Sequence, residues 1–372
     1  MNFFTITWAA NEGLPIAGDY SLRWYSLLFA LGFVLGFQIM LRYFKREGIP
    51  SKMLDTMLVY TVVATIVGAR LGHVFFYGWD QYKNDLVSIL YVWEGGLASH
   101  GAAVALIISM YLLAKKFAEY FDAKVSNTRR ALWLLDRLVI TVALAGCFIR
   151  LGNWMNSEIY GEVGNSALQT VFVEQVEDRL ENYLSRQIES AEMTPIEGSE
   201  TIGDITYPLY QLSLEPKVIV NGAEVLKDTA GAVRNVLQSV PEDMNAIVPQ
   251  GAEVTVNPEN GHMEMVVYGV PRHPTQLYEA AGYLVIFVIL YMLFRVPSLK
   301  YRNGFFLGAF LVLIFGFRFG IEYLKEIQDS FEADWSINQG QRLSIPLVII
   351  GIILLIGNVQ IAPKGVQKNE TD

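Results

Sequence analysis

Polar and ionisable side chains recur at the ends of strongly apolar stretches in this 372-residue chain, and their types suggest one chemistry. Arg23 and Tyr25 open the first stretch, Arg70, His73 and Tyr77 close the second, and His100 opens the third. Arg150 closes the fourth, with Asn153, Asn156 and Glu158 just beyond; His273, Gln276, Tyr278 and Glu279 open the fifth; Arg318 and Glu322 close the sixth. Such groups are costly in hydrocarbon, so each is a candidate for function. Several arginines at headgroup depth suit a phosphodiester, because a guanidinium offers fixed, paired donors to phosphate. Carboxylates such as Glu158, Glu279 and Glu322 can hold those arginines or accept from a hydroxylated headgroup. Histidine at such a site can move a proton near neutral pH. A phospholipid is the natural ligand of this set.

The elements that position these residues are read from hydropathy. Runs at 24–44, 54–77, 97–114, 131–151, 275–294, 305–323 and 343–359 are each about long enough for a ~30 Å hydrocarbon layer, and 52% of the chain is hydrophobic while only 17% is charged. Seven spans are expected. The fourth is interrupted by Asp136 and Arg137, a pair read as structural and able to sit at the interface near a helix end. Lys and Arg cluster after spans one, three, five and seven, which puts the N-terminus outside and the C-terminus inside. Under that topology every polar group named above lies toward the outer face, Arg70 about 10 Å and Arg318 roughly 8 Å below the ends of their helices. The first 22 residues lack a basic n-region and contain acidic and amide residues, so they do not read as a cleavable signal.

The fold class is therefore an all-α polytopic membrane protein with a small extracytoplasmic α+β insertion. Residues 1–161 form the membrane core of spans one to four, 162–268 the outer insertion, and 269–372 spans five to seven. At 107 residues the insertion is far beyond a connector. An amphipathic helix is expected from 167 to 192, ending before Pro195, and Asn221-Gly222 and Asn260-Gly261 are hairpin signals. This segment holds 18 acidic and 5 basic residues, a balance of -13 against -9 for the chain, which leaves +4 on the rest. The acidity belongs to the insertion, which would repel anionic headgroups and suits a cationic peptide segment.

Other classes are excluded or weighed. A single cysteine, Cys147, rules out a disulfide framework, a cysteine-rich zinc site and a CxxC pair, and reads as an inert buried thiol. An acidic chain without a basic tract is not a nucleic-acid binder. No metal motif is present. Arg318 and Glu322, spaced i, i+4, also fit a simple pair along a helix. Lys325 to Asp329 reads as a solvated outer loop, His73 as a packed or interfacial residue, and His262 as a turn residue in the insertion. The rival from another class is a non-enzymatic phospholipid transporter or receptor. A transporter should carry polar groups through the full membrane depth, and here the inner halves of most spans are apolar.

Four ordered segments carry a family resemblance. They are Trp93-Glu94-Gly95-Gly96-Leu97-Ala98-Ser99-His100-Gly101, Arg150-Leu151-Gly152-Asn153-Trp154-Met155-Asn156-Ser157-Glu158 with Gly161, Arg272-His273-Pro274-Thr275-Gln276-Leu277-Tyr278-Glu279, and Gln341-Arg342-Leu343-Ser344-Ile345-Pro346. With Arg23-Trp24-Tyr25, Gly68-Ala69-Arg70-Leu71-Gly72, Arg318 and Glu322, the chain resembles the phosphatidylglycerol-prolipoprotein diacylglyceryl transferases across all seven spans.

The resemblance implies an enzyme of the bacterial inner membrane with its site toward the periplasmic face. It would move the diacylglyceryl group of phosphatidylglycerol to the lipobox cysteine thiol of a prolipoprotein signal peptide, the first step of lipoprotein modification, forming a thioether and releasing glycerol phosphate. No cofactor beyond the lipid co-substrate is implied. Arg150 resembles the family's phosphatidylglycerol-binding arginine and Arg318 its second essential arginine. Asn153, Glu158 and Gly161 match the headgroup-positioning motif, Tyr25 an important tyrosine, and His100 a motif histidine able to act as general base; Arg70, Tyr278, Glu279 and Glu322 complete the expected substrate-binding set. The chain departs from the pattern where Ser157 replaces a usual glycine, Glu162 stands where an arginine often follows Gly161, and Ala69 replaces the second glycine of a Gly-Gly-Arg triplet. The 162–268 segment is longer than the family's usual connection, and is read either as a cap that steers substrates or as a stabilising insertion.

Overall fold

A long apolar run in lipid must satisfy its own backbone hydrogen bonds, which a helix does within one segment. The computed structural model describes all residues except 1–4, 11–12, 18–19, 93–94, 218–222, 240–244, 326–336 and 370–372. Among the described residues six helices are long and apolar enough to cross a membrane: α1 (Trp24–Arg46), α2 (Ser51–Phe76), α5 (Asn127–Met155), α8 (Thr275–Leu293), α10 (Phe305–Ile321, extended to Leu324 by a 3-10 turn) and α11 (Gln339–Ile356). The third expected span forms only α4 (Ser99–Leu113), 15 residues or about 22 Å. Short helices α3 (Trp79–Tyr82), α9 (Pro297–Lys300) and α12 (Lys364–Asn369) lie in connections or near the C-terminus. The chain divides into two compact units, one of residues 29–148, 282–317 and 343–372, the other of 1–28, 149–281 and 318–342.

In the first unit, α2 and α4 meet through glycines. A Cβ on Gly101 would lie 2.2 Å from the Gly68 carbonyl oxygen and 2.6 Å from Gly72 Cα, so only glycine permits the approach. Asp136 and Arg137 are both buried within the protein, where each has partners that fit the structural role expected of them. Arg137 makes a two-pronged pair with Glu47 (Nε to Oε2 2.9 Å, Nη2 to Oε1 2.8 Å) and stacks over Trp133. Asp136 accepts the backbone N–H groups of Gly304 and Leu307 at 2.7 and 2.9 Å, stabilising the positive N-terminal end of α10. A buried charge needs such partners, and these explain why the fourth span, the longest helix at 29 residues, tolerates the pair.

The second unit contains the sheet. Strands β5 (Ile188–Ile202), β6 (Ile205–Pro216), β9 (Met263–Gly269) and β7 (Ala246–Ile247) lie in that order, all antiparallel, and β8 (Thr255–Val256) pairs with β9. Helices α6 (Val173–Tyr183) and α7 (Ala223–Gln238) bury Val176, Leu180, Val233 and Leu237 against Leu212, Leu214, Met265 and Val267. In β9 burial alternates, as a half-covered strand requires. Two smaller pairs are parallel β1 (Ile6–Trp8) with β4 (Thr170–Phe172), and the hairpin of β2 (Gly13–Ala17) with β3 (Tyr20–Arg23).

The helix expected over 167–192 is shorter. Val171 belongs to β4 and Ile188 to β5, and both enter the same core as α6, so their near-helical spacing arises from three elements. Pro195 lies inside β5. The β5–β6 turn is Gly203-Asp204, with Gly203 at φ +64°, a two-residue turn of the kind that favours a left-handed residue. Asn260-Gly261 does stand between paired strands, Val256 opposite Met263. Asn221-Gly222 lies outside the described residues, and the following residues form α7 rather than a strand.

Candidate active site

Within the second unit, the ends of α5, α8 and α10 bring carboxylates and cations into one chain of contacts. Arg150 Nε lies 3.1 Å from Glu279 Oε2, and Glu279 is fully buried. Glu279 Oε1 meets Lys325 Nζ at 3.2 Å, Lys325 Nζ meets Glu322 Oε1 at 3.1 Å, and Glu322 Oε1 meets Arg318 Nε at 3.2 Å. The order Arg150–Glu279–Lys325–Glu322–Arg318 alternates in sign. Lys325 at its centre is buried, and that burial lowers its pKa most, with Arg150 and Arg318 adding to the effect and the two glutamates opposing it. The arginines at the ends are more accessible, with side chains 12% and 31% exposed, and Arg318 meets Glu322 through Nε. An anion entering here would meet two guanidiniums whose positions are already fixed.

A second arm runs from Arg150. Arg150 Nη1 donates to Asn153 Oδ1 at 3.3 Å, Asn153 Nδ2 to Glu158 Oε1 at 2.8 Å, and Asn156 Nδ2 to the same oxygen at 3.3 Å. The loop that carries Glu158 is tied to α8, whose Gln276 and Thr275 donate to the carbonyls of Glu158 and Ile159. Ser157 and Ile159 adopt φ of +52° and +58°. The left-handed region favours glycine, so Ser157 is strained at the position where the resemblance implies a glycine. Gly161 has a steric reason of its own: a Cβ there would lie 2.5 Å from the Leu324 carbonyl oxygen and 2.7 Å from Thr275 Cγ2. Its N–H donates to the His273 carbonyl, and Glu162 N–H to that of Leu324, so the loop bridges the segments before α8 and after α10. Tyr25, at the start of α1, packs on Gly152, whose added Cβ would fall 2.7 Å from Tyr25 Cδ2. Tyr278 makes a 3.5 Å hydroxyl contact with Ser166.

Arg70 and His100 belong to the first unit. Arg70 is buried and spends its donors on three carbonyls, those of Ile89 (2.9 Å), Ser88 (2.7 Å) and Gly95 (2.6 Å), beneath the Tyr82 ring. It fastens the connection between α2 and α4. His100, in the first turn of α4, has the rings of Phe76 and Tyr77 at 4.9 and 5.7 Å. Cys147 is a free, buried thiol.

Several residues escaped the sequence reading. Lys325, expected in a solvated loop, is held at the centre of the charge chain, because both neighbouring glutamates need a cation once removed from water; Glu322-x-x-Lys325 was its only local sign. Residues 326–329 of that expected loop lie outside the described residues. Asn338 caps α11, its Oδ1 accepting Gln341 N–H at 2.9 Å while Gln341 Oε1 accepts Asn338 N–H at 3.2 Å. This reciprocal box is legible as Asn-x-x-Gln, and Asn338 Nδ2 also donates to Glu322. Arg272 donates to Asn245 Oδ1 at 2.7 Å; Asn245 Nδ2 donates to Gln175 Oε1 at 2.7 Å; Gln175 in turn hydrogen-bonds the Ser157 carbonyl. That relay joins α6 to the Ser157 loop across sequence separations of 18, 27 and 70, where no local pattern could reveal it.

The family model for prolipoprotein diacylglyceryl transferase matches residues 13–357. The chain is 34% identical over 349 residues to the phosphatidylglycerol–prolipoprotein diacylglyceryl transferase of Tolumonas auensis, covering 94% of this chain and 96% of that protein. It is 30% identical over 362 residues to the protein of the same name from Porphyromonas gingivalis, covering 95% of each, and 26% identical over 356 residues to that of Chloroherpeton thalassium, also covering 95% of each. Alignments leaving only about one-twentieth of the chain uncovered must run through residues 162–268, so the long connection is shared with these relatives.

Proposed function

Because the chain belongs to the prolipoprotein diacylglyceryl transferase family, we propose that it transfers the diacylglyceryl group of phosphatidylglycerol to the lipobox cysteine thiol of a prolipoprotein. The protein is a multi-pass membrane transferase. The thiolate sulfur attacks the glycerol carbon that bears the phosphate, a carbon–sulfur bond forms as the carbon–oxygen bond breaks, and glycerol phosphate leaves with the bonding electron pair. The thiol proton passes to a base. Phosphatidylglycerol is the only co-substrate this requires.

One observation carries the reading: two partly exposed arginines stand at the ends of a charge chain whose interior is buried. The phosphodiester has one negative charge, and the departing phosphate monoester gains a second. Donors fixed beforehand at the place where charge grows stabilise the transition state more than the ground state. Arg150 and Arg318 are assigned that role. Glu279 and Glu322 hold the guanidiniums while Lys325 compensates both carboxylates, and Asn153 and Glu158, aided by the tight passage at Gly161, orient Arg150 and receive headgroup hydroxyls. Tyr25 and Tyr278 border the lipid. Arg70 positions the connection between α2 and α4, and His100 is assigned as the base for the thiol, whose ordinary pKa of about 8.5 demands only modest activation.

The wider setting follows the distribution of Lys and Arg. We place the N-terminus outside and the C-terminus inside, take Ser99–Leu113 as a seventh span, and set the charge chain toward the outer face of a bacterial inner membrane, with 162–268 as an outer domain. The test is reconstitution with phosphatidylglycerol and a lipobox peptide. Mass spectrometry should find the peptide heavier by one diacylglyceryl group, and Arg150→Ala or Arg318→Ala should slow its appearance by at least about a hundredfold, the scale for loss of a transition-state donor. Turnover close to wild type in both variants would remove the site assignment, and lipid movement without adduct would favour a carrier.

A further inference from the structure

The end of α1 and the segment after α8 enclose a pocket of about 300 Å³, room for roughly ten waters at about 30 Å³ each. Three cations, Arg46, Arg295 and Lys300, and three tyrosines, Tyr43, Tyr291 and Tyr301, line it, and no acidic residue does. None of these residues takes part in the charge chain described above.

The wall is built for an anion. Arg137 and Lys300 together engage Glu47, so that carboxylate is already committed. Arg46 and Arg295 have no acidic partner among the described residues, and both are exposed. Arg295 Nη2 reaches only the Tyr291 hydroxyl, at 3.4 Å. A further sign comes from Tyr43, which is 5% exposed: its hydroxyl is buried and has no hydrogen-bond partner among the described residues. Its ring is packed between Phe294 at 4.2 Å and Tyr291 at 6.5 Å, so the hydroxyl is held in place. A buried hydroxyl left without a partner costs about 1–3 kcal/mol, and Tyr43 is one of the residues that line the pocket.

The geometry points to a binding site for a phosphate group, presented by an anionic phospholipid, distinct from the residues assigned to transfer. Arginine is the side chain that matches phosphate oxygens in pairs. The lipid source follows from position. The pocket closes at the end of two membrane-spanning helices, and α8 leads to it with an exposed apolar stripe of Val285, Val288 and Met292, at 57%, 45% and 56% exposure. Acyl chains can lie along that stripe while the phosphate enters between the arginines. Lys300 and Tyr301 then stand beside the headgroup.

The test compares the purified full-length protein with the pair Arg46→Gln/Arg295→Gln and the charge-preserving pair Arg46→Lys/Arg295→Lys. Each is loaded from micelles doped with phosphatidylglycerol or with phosphatidylcholine, and retained lipids are counted by native mass spectrometry. The wild type should retain one more phosphatidylglycerol than the glutamine pair, whose affinity for that lipid should fall at least about tenfold. The lysine pair should recover much of the retention, and phosphatidylcholine should not discriminate among the three. Lipobox-peptide transfer within about twofold of wild type checks that the glutamine pair is folded; if it is not, the single variants Arg46→Gln and Arg295→Gln, each at an exposed position, give the comparison in the phosphatidylglycerol arm. Equal phosphatidylglycerol retention by wild type and glutamine pair overturns the site. Displacement of the extra lipid by millimolar inorganic phosphate assigns the pocket to free phosphate and overturns the lipid.

Discussion

Lys325 shows how one side chain sets the behaviour of its neighbours. Glu279 and Glu322 would repel each other if both were ionised and buried, and the arginines would then be drawn inward to neutralise them. With Lys325 between them at 3.2 and 3.1 Å, both glutamates are compensated and the guanidiniums keep a share of their charge for a ligand. Lys325→Met should therefore destabilise the protein by about 3 kcal/mol, the scale for breaking a buried pair from one side, and lower kcat more than it raises KM. Lys325→Arg, which keeps the charge, should restore most of the turnover; thermal unfolding and transfer kinetics on the two variants check this. Ser157 offers the opposite case. Its φ of +52° is strained and its hydroxyl is buried without a partner among the described residues. Ser157→Gly should leave transfer unchanged and raise the unfolding midpoint by a small amount, since relief of about 1 kcal/mol is partly offset by the greater freedom of glycine in the unfolded chain.

Elements position the site through their ends. α10 delivers Arg318 in its last turn, α11 begins with the Asn338–Gln341 box, and the cap also donates to Glu322. Asn338→Ala should cost about 1 kcal/mol of stability as a lost cap and impair transfer as well, because Glu322 loses a donor; Gln341→Ala should cost stability with less effect on transfer. In the sheet region, Glu177 accepts the Met193 N–H at 2.7 Å, and burial, with Glu192, Asp178 and Glu181 nearby, raises its pKa. A carboxyl with a raised pKa penalises folding above the pH at which the unfolded chain ionises it, and does not below that pH. Glu177→Gln should thus raise the unfolding midpoint at about pH 8 and change it little at about pH 4. Five apolar runs were legible as spanning helices because each is about long enough to cross a ~30 Å hydrocarbon layer, and the fourth was legible as a span despite its charged pair. The single helix expected over 167–192 was not legible as strand, helix and strand, since three elements feeding one core imitate one helical face.

For the whole molecule, charge is divided: 18 acidic and 5 basic residues fall within 162–268 and the remainder carries +4. The acidic segment is also wired to the site loop, through Gln175 to the Ser157 carbonyl and through Asn245 to Arg272. Replacing residues 164–266 by a short linker should slow peptide transfer by at least about tenfold, or 1.4 kcal/mol in the barrier, while a Gln175→Leu variant of the full chain should show part of the same loss. Unchanged peptide kinetics in both would reduce the segment to a passenger. By itself the sequence determined that the chain is helical in the membrane, which ends of those helices bear arginine, amide and carboxylate, and which family they resemble, because hydropathy and ordered motifs are local. It did not determine which carboxylate holds which arginine, that Lys325 joins them, or that Arg70 is occupied by three carbonyls. Those pairings are decided only when segments far apart in the chain are packed together and buried charges must find partners there, and that is a property of the tertiary structure alone.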